Sequence, residues 1–160
     1  RMTMLGADCS LPVGQFVLRA EVAEYIGEAQ GSGLGQNAVR RNTLNALAGV
    51  DWYPGNDWNI SVQYCHKYTS GNLAALSIYR NAGLATARLS KELLHNTLKL
   101  STFAYIDVST GGIFNRFSAS YALTDQIELA GGYDYFHADR GHFAIYHKNS
   151  EVWLKLKYSF

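Results

Sequence analysis

The stretch SEVWLKLKYSF, from Ser150 to Phe160, carries the most regular pattern in the chain. Side chains of a β-strand point alternately to its two faces, so a period of two predicts a strand with one apolar and one polar face. Polar or charged residues and Trp153 fill the positions between the apolar ones. The apolar set is Val152, Leu154, Leu156, Tyr158 and Phe160.

The same period recurs along nearly the whole chain and predicts eight clear strands, with TMLGADCS (3–10) as a possible ninth. Tight turns, among them LPVG (11–14) and PGND (54–57), alternate with longer polar loops at 28–42, 69–83 and 137–149. This spacing predicts an antiparallel up-and-down arrangement. We therefore expect an all-β fold in which residues 1–160 form a single domain.

One segment has an ambiguous pattern. SKELLHNTLKL (90–100) resembles a helix that begins at a capping serine, Ser90. The preceding alternation in LATARLSKELL (84–94) favours a strand instead, followed by a turn at His95 and Asn96.

Composition agrees with a β-rich chain and excludes some function classes. The sequence has 11 tyrosines, 15 glycines and only 2 prolines, and its net charge of +1 gives no reason to expect nucleic acid as a partner. Cys9 and Cys65 are predicted to lie on opposite faces at different heights, so we expect no disulfide between them. Because the chain begins at Arg1 without a signal-peptide pattern, we expect a mature or trimmed piece of a longer precursor.

The polarity of the two faces predicts where the sheet resides. A soluble barrel has its apolar face inside, whereas a transmembrane barrel has it outside, around a polar interior. Strands of about ten residues match the length that a tilted strand needs to cross a bilayer. We therefore predict a transmembrane β-barrel whose lumen is lined by Arg19, Glu21, Asp51, Lys67, Arg88, Glu92, Lys99, Asp107, Arg116, Glu128, Asp134, Glu151, Lys155 and Lys157.

Aromatic residues predict the orientation of this barrel. Trp and Tyr concentrate at the membrane interfaces, and in outer-membrane barrels the short turns are periplasmic and the longer loops extracellular. The aromatics of the apolar face cluster beside the tight turns, which places those turns and the C-terminus in the periplasm. The interface residues are Trp52, Trp58, Tyr121 and Tyr158.

The final strand resembles the C-terminal assembly signal of Gram-negative outer-membrane β-barrels, carried by Val152, Leu154, Leu156, Tyr158 and Phe160. More narrowly, GADCSLPVGQFVLRAEVAEY (6–25), GVDWYPGNDWNISVQYCH (49–66), RFSASYALTDQIELAGGYDYF (116–136) and KNSEVWLKLKYSF (148–160) resemble the C-terminal half of porin-like and alginate-export-like outer-membrane proteins. The resemblance implies outer-membrane lipid and the barrel-assembly machinery as partners. It also leaves two architectures open, a closed eight-stranded barrel starting at Phe16 or part of a larger barrel.

These features predict a non-enzymatic, cofactor-free channel for passive passage of small polar solutes or ions. The alternative is a closed small barrel that acts as a structural or adhesive surface module through its loops. A lipid or peptide hydrolase at the rim is the third reading, with His66 and either Ser70 or Asp107 as its best candidates. We predict no metal site in the last loop, because His137, Asp139, His142 and His147 lie in a segment that we expect to be solvated and irregular.

Overall fold

Nine strands, joined in sequence order, form one antiparallel sheet in the computed structural model, which describes residues 1–31, 38–74, 76, 78–141 and 143–160. The up-and-down arrangement predicted from the sequence is confirmed. A short 3₁₀ helix, Ala144–Tyr146, lies between the last two strands. The strands are β1 Thr3–Val13, β2 Phe16–Gln30, β3 Val39–Trp52, β4 Trp58–Thr69, β5 Asn81–Leu93, β6 Leu98–Asp107, β7 Ile113–Ala122, β8 Ile127–His137 and β9 Glu151–Tyr158.

The ambiguous segment is a strand, as predicted. β5 continues through Ser90 to Leu93 and pairs with β6 over its whole C-terminal half. Leu94, His95 and Asn96 then adopt positive φ angles of 52°, 57° and 68°, which reverse the chain direction. A right-handed helix cannot continue through three left-handed residues, so the helical reading of this segment is excluded.

Two predicted boundaries at the N-terminal side are wrong. β1 extends through Leu11, Pro12 and Val13, so the turn consists of Gly14 and Gln15 rather than LPVG. Similarly, β2 runs to Gln30 and β3 begins at Val39, which shortens the loop predicted at 28–42; residues 32–37 of that loop lie outside the described residues.

A β-bulge explains why the alternation of apolar and polar residues does not continue to the C-terminal end of β2. The register between β2 and β3 shifts between Tyr25 and Glu28, where Gly27 has a φ of 73°. The extra residue changes the parity of the strand, so that Glu28 points to the same face as Arg41 and Thr43. The strand therefore continues, with its faces exchanged relative to the simple pattern.

The sheet has two free edges within the described residues, because β1 pairs only with β2 and β9 only with β8. The structure therefore describes an open sheet, and the barrel stays a prediction. An eight-stranded closure that begins at Phe16 would need β2 to pair with β9. Instead β2 pairs with β1 on one side and with β3 on the other.

Burial is inverted relative to an ordinary β-domain. In the described part of the chain the only buried hydrophobic residues are Leu76 and Ala138, both in loops. The buried polar residues are Gln30, Thr43, Asp51, Thr69, Ser90, Asp107 and Asp134. Among the described residues, no helix is long and apolar enough to span a membrane.

Candidate functional site: the polar face of the sheet

The strand register defines two faces. Residues directly opposite each other in antiparallel neighbours point to the same side of the sheet. In the register from β2 to β9, every charge predicted to line the lumen lies on the same side of the sheet. We call this side the polar face. One row across this face contains Asp51, Ser61, Arg88, Phe103, Arg116, Asp134 and Glu151.

A first cluster joins β2, β3 and β4 toward their tight-turn ends. The Nη2 of Arg19 lies 2.6 Å from Oδ1 of Asp51, and the hydroxyl of Ser61 donates to the same oxygen. The amide oxygen of Gln63, in the orientation that its hydrogen bonds require, accepts from the Arg19 guanidinium at 2.8 Å. Because Asp51 is buried, this network holds its charge where water has little access.

A second cluster lies on β7, β8 and β9. Arg116 contacts both carboxylate oxygens of Asp134, with Nε 2.7 Å from Oδ1. The side chain of Asp134 is only 3% exposed, whereas that of Arg116 is 51% exposed. The guanidinium also lies over the rings of Phe114 and Trp153, at 5.9 and 5.8 Å from their centroids. Bidentate geometry of this kind orients the guanidinium as well as pairing its charge.

Two further ion pairs lie toward opposite ends of the polar face. Near the long loops, the Nζ of Lys67 is 3.3 Å from the carboxylate of Glu28, which also accepts from the hydroxyl of Thr43. Near the tight turns, the Nζ of Lys99 is 2.8 Å from Oε1 of Glu92. The bulge at Gly27 is what brings Glu28 onto this face, and the sequence pattern did not indicate it.

The other predicted lining charges differ in their surroundings. Asp107 is 4% exposed, and its Oδ1 accepts hydrogen bonds from the backbone N–H groups of Ser109 and Thr110. Its carboxylate therefore stabilises the β6–β7 connection. The remaining charges form no ion pair with another described residue; they are Glu21, Arg88, Glu128, Glu151, Lys155 and Lys157.

A cavity of about 1030 Å³ lies at the long-loop half of the polar face, beside β1 to β6. A single cavity can contact six successive strands only if the sheet curves around it. Its lining mixes apolar groups with charged and amide side chains. The polar-face residues that line it include Asp8, Glu21, Asn45, Lys67 and Thr69.

The sequence pattern did not indicate a group of aromatic rings on the polar face, although it placed Trp153 among the polar positions of the last strand. Register places Tyr105, Phe114 and Phe136 in the row of Arg19, Phe103 in the next row with Asp51, and Trp153 one row beyond. A simple search for one apolar face overlooks them, although Phe103 and Phe114 break the polar pattern of their strands and supply a signal. The set consists of Phe103, Tyr105, Phe114, Phe136 and Trp153.

The aromatics predicted at the membrane interface all lie on the opposite, apolar face beside the tight turns. Trp52 stacks on Phe16 with ring centroids 5.8 Å apart, and the Nζ of Lys91 lies 4.6 Å above the ring of Trp58. Tyr121 and Tyr158 are exposed at the same end of the sheet. Their role at a membrane interface stays a prediction.

The structure does not assemble the candidate rim enzyme. His66 lies on the apolar face, where its ring nitrogens contact the hydroxyl of Tyr64 at 3.0 Å and Oδ1 of Asn81 at 3.2 Å. Asp107 lies on the polar face, and the hydroxyl of Ser70 donates to the backbone carbonyl of Asn42. These three side chains are therefore not brought together for catalysis.

Neither the two cysteines nor the described histidines of the last loop form a metal site or a disulfide among the described residues. Cys9 on the apolar face of β1 and Cys65 on the polar face of β4 are both free thiols, with two strands between them. Within the part of the chain that the structure describes, no group of three or more His, Cys, Asp or Glu side chains has an arrangement that could hold a metal ion. His142 lies outside the described residues.

Comparisons with known protein families, characterised proteins and solved structures found no match to this chain. The resemblance to porin-like and alginate-export-like proteins therefore stays a prediction.

Proposed function

We propose that this chain forms part of a β-barrel in the outer membrane of a Gram-negative bacterium, and that its polar face lines a channel for passive passage of small polar solutes or ions. The proposal includes lipid around the apolar face, assembly by the barrel-assembly machinery, a periplasmic C-terminus and extracellular long loops.

The inverted burial is the observation that carries this proposal. Leu154 on β9 and Leu5 on β1 are 78% and 63% exposed, and large apolar side chains of the strands between them also face outward. Soluble monomers rarely expose apolar patches larger than roughly a few hundred Å². Paired charges occupy the sheltered face instead, which is the polarity that a transmembrane barrel requires.

The free edges support a larger barrel over a closed nine-stranded one. Unprotected edge strands are templates for pairing, and only a closed barrel satisfies every backbone group in lipid. Because β1 and β9 are both odd-numbered in an up-and-down sheet, they run in the same direction and cannot pair antiparallel. An odd number of additional antiparallel strands between them would complete the barrel.

The charged side chains of the polar face favour an open channel over a plugged structural barrel. Charges such as Glu21 and Arg88 lie on this face without an ion-pair partner among the described residues. Glu21 and Lys67 also line the cavity of about 1030 Å³. Charged side chains around a wet passage set its ion preference.

Fluorescence of single tryptophans tests membrane residence and facing together. In vesicles that contain brominated lipid, we expect strong quenching of a protein that retains only Trp52, because this ring lies on the exposed apolar face. A protein that retains only Trp153, on the polar face, should be quenched weakly. Equal quenching of the two variants would contradict the proposed facing.

Glu21→Lys tests whether the cavity is an ion path. The substitution replaces a negative charge of the lining by a positive one, so we expect reversal potentials in a salt gradient to shift toward anion preference. Glu21→Asp is the matched control, since it keeps the charge and should leave the preference unchanged. Equal reversal potentials for the two variants would exclude the cavity as the path, and absence of conductance in a complete barrel that contains this chain would exclude the channel.

A further inference from the structure

The connection between β8 and β9, whose residues 138–141 and 143–150 the structure describes, has two aromatic side chains in contact with rings of the polar face. The ring of Phe143 is 6.5 Å from that of Tyr105, and the ring of Tyr146 is 5.4 Å from that of Phe136. Both partners belong to the polar face. Most described residues of the loop are exposed, as expected from the sequence, but aromatic contacts hold Phe143 and Tyr146 against the sheet.

The rings beneath this loop form a continuous support. Phe114 stacks on Phe136 with centroids 4.6 Å apart, and Tyr105 contacts Phe114 at 6.3 Å and Phe103 at 4.7 Å. Stacked and edge-to-face aromatic pairs at these distances stabilise a fold by more than the burial of their apolar surface alone. The support extends across β6, β7 and β8.

Two glycines show how closely the loop fits. A Cβ at Gly112 would lie 3.1 Å from Cβ of Ala138 and 3.2 Å from Cδ2 of Phe143. Gly141 has a φ of 84°, and a Cβ there would collide with the side chain of Thr110. Ala138 itself is only 2% exposed. The loop therefore fits tightly against the β6–β7 connection.

Hydrogen bonds fix the shape of the loop. The N–H of Tyr146 donates to the carbonyl of Phe143 at 3.0 Å, and that of Asn149 donates to the carbonyl of Tyr146 at 2.9 Å. At the base of the loop, the N–H of Phe136 donates to the hydroxyl of Ser150 at 3.1 Å. The 3₁₀ turn thereby presents Phe143 and Tyr146 to the sheet, while Ile145 between them is 78% exposed.

We infer that the β8–β9 loop is a fixed narrowing element that sets the size limit of the channel, and that Phe143 and Tyr146 are its anchors. This inference rests on the proposed channel function. The loop covers the β6–β8 side at the long-loop end, and its Gly141 also borders the cavity beside β1 to β6. Solutes would therefore pass the side that carries Glu21 and Lys67.

Phe143→Ser in the intact protein tests the anchor, with Ile145→Ser as the matched control on the same loop. Arg140 and Lys148 provide trypsin sites on either side of the anchor. Loss of the ring should increase the open population of the loop, so we expect cleavage roughly tenfold to a hundredfold faster than in the control. This measurement does not require conductance, so it distinguishes a failure of this inference from a failure of the channel proposal.

The same variants then test the size limit in planar bilayers. Phe143→Ser should increase single-channel conductance and admit larger neutral polymers, whereas Ile145→Ser should match the unmodified protein. If Phe143→Ser does not assemble, Tyr146→Ala removes the more exposed of the two anchors and takes its place. A conducting protein in which the anchor and control variants have equal cleavage rates and equal size limits would overturn the inference.

Discussion

Leu154→Arg is expected to prevent stable assembly of the protein in the membrane. Leu154 is 78% exposed on the apolar face of β9, opposite Gly131 of β8. A charged side chain on the lipid face of a barrel costs about 2–4 kcal/mol near the middle of the bilayer. This cost is a large part of the stability of a typical domain. The measurement is the amount of folded, heat-modifiable protein in isolated outer membranes.

Lys155→Arg is the matched control for this experiment. The neighbouring side chain points to the polar face, where a cation is already present, so its replacement should leave assembly unchanged. Loss of assembly in both variants, or in neither, would contradict the assigned facing of β9. The test also bears on the terminal assembly signal, because Leu154 belongs to the apolar set that resembles that signal.

Gly132→Ala is expected to lower the stability of the sheet strongly, by about 2 kcal/mol. A Cβ at Gly132 would collide with the backbone carbonyl oxygen of Phe117 and would lie 2.6 Å from Cζ2 of Trp153. The ring can move, but the carbonyl belongs to the neighbouring strand, so the β7–β8 pairing must shift. Urea titration of the folded protein, followed by heat-modifiable migration, measures the loss.

Gly131→Ala provides the control at the adjacent position. There the nearest atoms to a new Cβ are the carbonyl oxygen of Trp153 at 3.3 Å and Cδ1 of Leu154 at 3.4 Å, which small adjustments can accommodate. We expect a change within about 1 kcal/mol of the unmodified protein. Equal destabilisation at the two positions would show that loss of glycine flexibility, and not the contact with Phe117 and Trp153, is responsible.

The facing of side chains was the part of the structure that sequence alone predicted well. The alternation in β9 and in the other strands correctly separated an apolar set from a charged set, and the register confirms that the predicted charges share one face. The strand at 81–93 was also recognised in spite of its helix-like end. Both successes have one cause, which is that a period of two is a local property of the chain.

The pattern failed where backbone geometry or a second set of contacts intervened. The positive φ of Gly27 changes the parity of β2 and places Glu28 beside Lys67, and alternation of residue types does not encode such a shift. Likewise, the loop appeared polar and solvated because its histidines and charges dominate its composition. Phe143 and Tyr146 decide its position, through contacts with Tyr105 on β6 and Phe136 on β8.

The sequence by itself therefore determined the strands, their order and the polarity of their two faces, because these depend on neighbours along the chain. Only the tertiary structure decided the two free edges, the ion pairs, the cavity beside β1 to β6 and the inward position of the β8–β9 loop. Each of these depends on curvature, register and packing between residues that are distant in sequence. Distances across a folded sheet follow from the summed geometry of all its strands, and no local period encodes them.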